Sequence, residues 1–298
     1  MSITLSLNNV DSKATSINIY RSVNTPVLAA NPGTPYATIP APASTWTDTD
    51  VVNYNVYHYR IEVSDGVNKT ISENQMVGYY PDSGPGANVV RRGDWMSGWM
   101  DELTTDQFIS GADFITLLTG LGLTGLTGTP ANVKSWAKCA HRGKVVLLPS
   151  AAIGSVSWMN LYNAGLVYGT NDNGVHPPVN NLVETNQRKT VTIKGATYIV
   201  RTIRATTDPT NVALSTAVAQ ADITSENNAI RTRLANDGSS PNGQTRFGDY
   251  TASTLNTVLA QPYSTTGALT GTSNNNFGST GITSAAQWVP ILEFAPGL

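Results

Sequence analysis

The stretch Tyr54-Asn55-Val56-Tyr57-His58-Tyr59-Arg60-Ile61-Glu62-Val63 decides the fold class of this chain. Its β-branched and aromatic residues suit a pleated, half-buried surface, so it reads as a strong β-strand. Asp65-Gly66 closes it, a turn pair whose glycine accepts a positive φ. Upstream, Ile3–Leu7 and Ser16–Arg21 alternate apolar and polar residues with the strand period. The Pro- and Ala-rich stretch from Thr25 to Ser44 lacks ladder donors at its prolines and reads as loop or edge strand. Thr45–Asp50 follows as a further short element, and a last strand is expected near Thr70 to Tyr80. Pro81-Asp82-Ser83-Gly84-Pro85-Gly86 reads as the start of a linker.

Beyond it the pattern is mixed. Trp95–Leu103 predicts a short helix or helical turn, with Trp95 and Trp99 on one face. Thr104–Ile109 predicts a second helix start, capped by Thr104 or Thr105. Three Leu-Thr-Gly copies, at Leu118, Leu123 and Leu126, are too short for a solenoid and read as a glycine-punctuated loop or hairpin. Val145–Pro149 is a continuous apolar run, hence a buried strand. Trp158–Gly165 suggests a short helix ended by glycine. Val191–Ile203 reads as a hairpin about Lys194-Gly195, and Ser225–Leu234 as a helix capped by Ser225. Pro262–Ala286 is polar, with its Tyr263–Ala285 part read as a long surface loop or a segment ordered against a neighbouring subunit. Trp288–Phe294 is an apolar closing strand.

The expected architecture is therefore mixed and β-rich: a β-sandwich over residues 1–80, a linker over 81–88, and a larger α+β domain over 89–298. A length of 298 residues fits about two domains. The formal charge is −2, and only 13% of residues are charged against about 25% in ordinary soluble domains. A nucleic-acid partner is not expected, because no basic excess is available to neutralise phosphates. The single cysteine, Cys139, excludes an internal disulfide framework and reads as a small buried hydrophobe. The Met1–Leu7 start has no basic region and no long apolar run, so neither a signal peptide nor membrane insertion is expected.

Residues 1–80 resemble a fibronectin type III or immunoglobulin-like module. The resemblance rests on Ile19-Tyr20-Arg21-Ser22, Thr47-Asp48-Thr49 and the Tyr57–Ile61 strand, with little room for a first strand. A sandwich short of that strand exposes an edge that something must cover. Residues 90–298 resemble a domain of tailed-phage virion proteins, through five segments in order. They are Ser135-Trp136-Ala137-Lys138, Ser157-Trp158 through Tyr168-Gly169, and Val191-Thr192-Ile193-Lys194-Gly195 through Val200-Arg201. Ser225-Glu226-Asn227-Asn228 and Trp288-Val289-Pro290-Ile291-Leu292-Glu293 complete the set. Asn227 departs from the family's tryptophan, and the polar stretch before Trp288 replaces strands that bear Trp and Arg in the family. The resemblance implies a tail-fibre or decoration-type virion protein.

Candidate chemistry is sparse. Arg92-Gly93-Asp94 is an integrin-type tripeptide, but a turn at Gly93 with Arg91 and Arg92 paired to carboxylates is the favoured reading. Trp95 and Trp99 read as core anchors before they read as a sugar platform. Asp94, Asp101 and Glu102 could supply a glycosidase pair, which needs two carboxyls facing each other across a cleft. Asp48 and Asp50 could contribute to a calcium cage, but the turn reading is favoured. His58, His141 and His176 are scattered, and neither a nucleophile elbow nor a phosphate-cradling loop occurs. The expectation is no catalytic residue, no metal and no cofactor. Trp95, Trp99, Asn274, Asn275, Asn276 and Phe277 are the candidate surface or assembly contacts.

The expected function is a non-enzymatic structural component of a virion, made in the host cytoplasm and associated with tail, collar or fibre. Its partners would be other virion proteins and copies of itself, with a host-surface polysaccharide or receptor as a further partner. A capsid decoration protein and a polysaccharide-degrading tail enzyme are the alternatives. Contacts made by Thr- and Asn-rich surfaces should depend little on salt.

Overall fold

The computed structural model describes residues 2–298 except 9, 11, 129, 175, 179–180, 208–213, 235–246, 248–256, 263–266 and 273–275. It is β-rich with several antiparallel sheets and divides into two compact units. The first is Met1–Asp82 with Asp94–Met96; the second is Ser83–Gly93 with Ser97–Leu298.

The first unit contains β1 (Ile3–Ser6), β2 (Ser16–Val23), β3 (Ala37–Pro40), β4 (Thr45–Asp48), β5 (Asn55–Ser64), β6 (Lys69–Ile71) and β7 (Gln75–Tyr79). One sheet is the antiparallel pair β1–β4. The other runs β3-β2-β5-β6, with β7 also on β5. Alternation along β1 sends Ile3 and Leu5 inward, where they meet Ile17, Ile19, Tyr57, Tyr59 and Ile61 from the second sheet in one core. β3 emerges from the proline-rich stretch as an edge strand, the place where missing donors are harmless. Asp65 Oδ1 accepts from the amides of Val67 and Asn68 at 2.8 and 2.6 Å, and Gly66 takes a φ of 94°, fixing the turn after β5.

The second unit begins with β8 (Arg92–Gly93), β9 (Ser97–Thr104), α1 (Gly111–Gly120), β10 (Thr127–Gly128), β11 (Ser135–His141) and β12 (Lys144–Pro149). Then come β13 (Gly154–Ser157), α2 (Trp158–Asn163), β14 (Lys189–Ile193), β15 (Ala196–Thr202) and α3 (Thr216–Ala221). A π-helical turn, Asn227–Arg231, runs into α4 (Thr232–Leu234). The last strands are β16 (Thr257–Pro262), β17 (Gly267–Gly271), β18 (Phe277–Gly281), β19 (Ala285–Trp288) and β20 (Pro290–Phe294).

Seven strands form the main sheet, β14-β15-β20-β12-β11-β9-β8. β10-β13-β19 and β16-β17-β18 form two smaller ones. The main sheet is buried on both faces, which explains the unbroken apolar run of β12. One face places Leu147, Trp136, Val200 and Leu292 against α1 and α2. The other places Val146, Leu148, Cys139 and Ile291 against Ile230 and Leu234. Cys139 is fully buried, as expected, and burial pushes its thiol well above the ordinary range. No helix among the described residues is long and apolar enough to cross a membrane.

Four local expectations are corrected. Trp95–Leu103 is not helical: from Ser97 it is β9, paired with β11 in the register Trp136↔Leu103 and Cys139↔Trp99 around a bulge. Pairing with a buried neighbour overrides the local spacing. The helix expected at Thr104 or Thr105 starts at Gly111, where Ser110 Oγ accepts from Asp113 N at 3.1 Å; Thr104 closes only a turn with Gln107. The first Leu-Thr-Gly copy is the last turn of α1 rather than loop. The expected loop over 263–285 contains β17 and β18, whose small residues pack closely enough for Gly267–Gly271 to be wholly buried.

The stretch read as a linker is anchored from Ser83 onward. Lys138, itself fully buried, donates to Gly84 O, Pro85 O and Asn88 Oδ1 at 3.3, 3.0 and 2.9 Å. A Cβ at Gly84 would lie 2.1 Å from the Tyr198 hydroxyl, so glycine is required there.

Candidate functional site

The main sheet brings together charges that lie far apart in sequence. Arg201 stands near the end of β15, Glu293 near the end of β20, and Glu226 just before the π turn. Arg201 is 2% exposed and lies between the two acids. Its Nη1 donates to Glu226 Oε2 at 2.7 Å and its Nε to Glu293 Oε2 at 3.0 Å, while Nη2 reaches both carboxylates. Gly169 leaves room for this arrangement, since a Cβ there would meet Arg201 Cδ at 2.6 Å.

Burial opposes ionisation of Glu226 and Glu293, but Arg201 outweighs it. Glu226 is held far below the usual carboxylate range, and Glu293 is brought down to about 2 with help from Lys144, which also bonds it. Burial likewise opposes the charge on Arg201, and the two glutamates more than compensate, raising its pKa.

Around this core the cations outnumber the acids. Arg204 donates its backbone N–H to Glu226 Oε2 at 2.9 Å and its Nη2 to Tyr168 O at 3.2 Å. Its buried Nε has no hydrogen-bond partner among the described residues. The neighbouring Arg201 lowers the pKa of Arg204, and burial adds to that. His141 is 6% exposed, and its Nδ1 also lacks a hydrogen-bond partner among the described residues. Burial brings His141 down to about 4, with Arg201, Arg142 and Arg204 reinforcing the shift and Glu226 opposing it. Arg142 and Gly143 form the two-residue turn between β11 and β12, at φ values of 49° and 80°. The result is a cleft of about 400 Å³ walled by His141, Arg142, Lys144, Arg204, Thr206 and Thr207 over the Arg201–Glu226–Glu293 floor.

The residues singled out from sequence do not build this cleft. Trp95 is half-buried in the first unit, its ring stacked on Tyr80 at 5.6 Å. Trp99 and Phe277 are half-buried and pack against the same hydrophobic cluster of the second unit. Asn276 is exposed and closes the β17–β18 hairpin through Thr272; Asn274 and Asn275 lie outside the described residues. Within Arg92-Gly93-Asp94, Gly93 takes a φ of 77° at the expected turn. Arg91 pairs with Asp101 at 3.4 Å as expected. Arg92 pairs with no acid among the described residues: it donates to Phe247 O and lies over Trp99, 5.5 Å from the ring centroid.

Asp101 also accepts from Ala87 N at 2.8 Å, Glu102 is exposed, and Asp94 accepts from Met96 N at 2.8 Å. Each is thus engaged in local structure or open to solvent. Asp48 is filled by Arg21, Tyr59 and the Asp50 amide, which favours the turn reading over calcium.

Sequence reasoning missed the cleft because no spacing rule joins residues 201, 226 and 293. A usable signal was present: Tyr198–Arg201 and Ile291–Glu293 are apolar strand segments ending in a charge. Such a charge cannot remain buried without a partner. No family model, no curated protein and no solved structure matches the chain.

Proposed function

We propose that the chain is a non-enzymatic structural component of a tailed-phage virion, associated with tail, collar or fibre and contributing to assembly or host attachment. The observation that carries this reading is the convergence of the five segments that resemble such proteins. Three of them supply Arg201, Glu226 and Glu293, which meet in one ion cluster, and three carry Trp136, Trp158 and Trp288, all fully buried. Those segments hold a scaffold together.

The cleft's two carboxylates fit poorly with glycoside hydrolysis. That reaction needs one acid to carry a proton, and Arg201 holds both Glu226 and Glu293 ionised. The first unit supports an immunoglobulin-type interaction module. What supports it is that the β1–β4 pair and the β3-β2-β5 sheet with β7 share one core, as two packed sheets of a sandwich do.

Gold-labelled antibody against the purified chain, applied to intact particles, tests the reading. Label at the tail, collar or fibres is the expected result. Label spread over the head would replace it with a capsid decoration protein, and particles free of the antigen would remove the virion reading. Shortening of host polysaccharide by the purified chain would overturn the non-enzymatic part.

A further inference from the structure

We propose that the cleft over Arg201 is a binding site for an oxyanion group: a carboxylate, sulfate or phosphate carried by a small molecule or a sugar. The inference stands apart from the virion reading and survives if that reading fails.

Four cations, Arg142, Lys144, Arg201 and Arg204, face two carboxylates, Glu226 and Glu293. Both acids are already taken up by Arg201, and Glu293 also by Lys144. Arg204 hydrogen-bonds Glu226 through its backbone amide, and its guanidinium feels both carboxylates through charge without a hydrogen bond to either among the described residues. Its guanidinium has one carbonyl partner, Tyr168 O, and a buried Nε left open among the described residues. A half-buried guanidinium held beside a second guanidinium is stabilised by an anion that reaches it.

Geometry points the same way. A guanidinium matches the planar or tetrahedral oxygens of oxyanions through parallel N–H donors. Arg204 faces a cleft of about 400 Å³, larger than a single anion needs. His141, which also lines the cleft, is neutral near pH 7, and its Nδ1 can donate or accept a hydrogen bond according to tautomer. Thr206 and Thr207 supply hydroxyls nearby, although Thr207 Oγ1 is already on Asp222 at 3.0 Å. Arg142 stands at the exposed end, on a backbone conformation that side chains other than glycine, asparagine and aspartate rarely adopt.

The test is calorimetric or NMR titration of the full chain with sodium sulfate, sodium phosphate and sodium glucuronate, each against sodium chloride at equal ionic strength. Saturable binding on the order of 1 mM or tighter is expected for at least one. Stronger binding of glucuronate assigns a sugar carboxylate; stronger binding of sulfate or phosphate assigns a tetrahedral anion. Arg204→Gln should weaken the interaction about tenfold, and the exposed Arg142→Gln should weaken it severalfold without disturbing the fold. Absence of saturable binding by all three salts, or binding that neither variant alters, overturns the proposal.

Discussion

Each unit buries an arginine–carboxylate contact, and the two are built to opposite specifications. In the first unit Asp48 is saturated: Arg21 Nη1 reaches both its oxygens at 3.0 and 2.9 Å, Tyr59 donates at 2.7 Å, and the Asp50 amide at 3.0 Å. Arg21 is satisfied in turn by Asp50 O and by the ring of Tyr36, 3.7 Å away. In the second unit the acids and Arg201 are saturated, but Arg204 Nε and His141 Nδ1 have no hydrogen-bond partner among the described residues. A closed cluster of this sort is explained by stability alone. The open one leaves buried nitrogens of Arg204 and His141 at a desolvation cost that the proposed oxyanion would offset.

The largest expected effect comes from removing the arginine that both acids share. Arg201→Leu leaves two ionised carboxylates in a buried site and should destabilise the second unit by about 3–5 kcal/mol. Denaturant unfolding should show its transition moving while that of the first unit stays. Equal shifts in both transitions, or none, would break the comparison.

Acid should separate the units next. His141 has a folded pKa of about 4 against an ordinary 6.5, so the unfolded chain binds its proton first. Its contribution is complete above pH 6.5 and is lost as pH falls toward 4. It amounts to about 3 kcal/mol, and Glu293 adds to the loss below about pH 4.5. The groups facing His141 are Glu226, Arg201, Arg142 and Arg204, and the cations among them deepen the effect. His58 in the first unit is also lowered, by burial alone, but its Nδ1 bonds Asn74 Nδ2 at 2.9 Å. Unfolding measured at pH 7, 5.5 and 4.5 should show the second unit weakening more steeply, and His141→Gln should flatten that slope.

A smaller loss is expected from the closed cluster. Asp48→Asn keeps the shape but removes the charge that Arg21 and Tyr59 address, which should cost about 1–3 kcal/mol. The change should be confined to the first unit's melting transition and leave any anion titration untouched.

The contrast between the units also marks what was legible in the sequence. Strands buried on one or both faces were readable, as in Ile3–Leu7, Tyr54–Val63 and Val145–Pro149, because periodicity reports burial directly. The Lys194-Gly195 turn was readable because two adjacent residues carry its geometry. Trp95–Leu103 was not, since its strand state is set by β11, some 35 residues later. Nor was Gly267–Gly271, where tight packing of small residues does the work that bulk usually signals. The cleft was hidden for the same reason. Its charges are assembled by sheet order, so the apolar runs ending at Arg201 and Glu293 signal a buried charge but not which partner it meets.

The finest separation of stability from binding uses two turns of one kind. Arg142-Gly143 and Lys194-Gly195 both join antiparallel strands through two residues at positive φ, 49° and 80° in one, 50° and 80° in the other. Asparagine is favoured at the first position of such turns because its short polar side chain tolerates the left-handed region. Replacing either basic residue by Asn should therefore stabilise the second unit by about 0.5–1 kcal/mol, read as a small rise in melting temperature. Only Arg142 borders the cleft, so Arg142→Asn should gain stability and lose affinity for the oxyanion together, whereas Lys194→Asn gains stability and keeps affinity. An arginine placed for structure alone could not give that divergence. If both variants bind as the parent does, Arg142 has no part in the site.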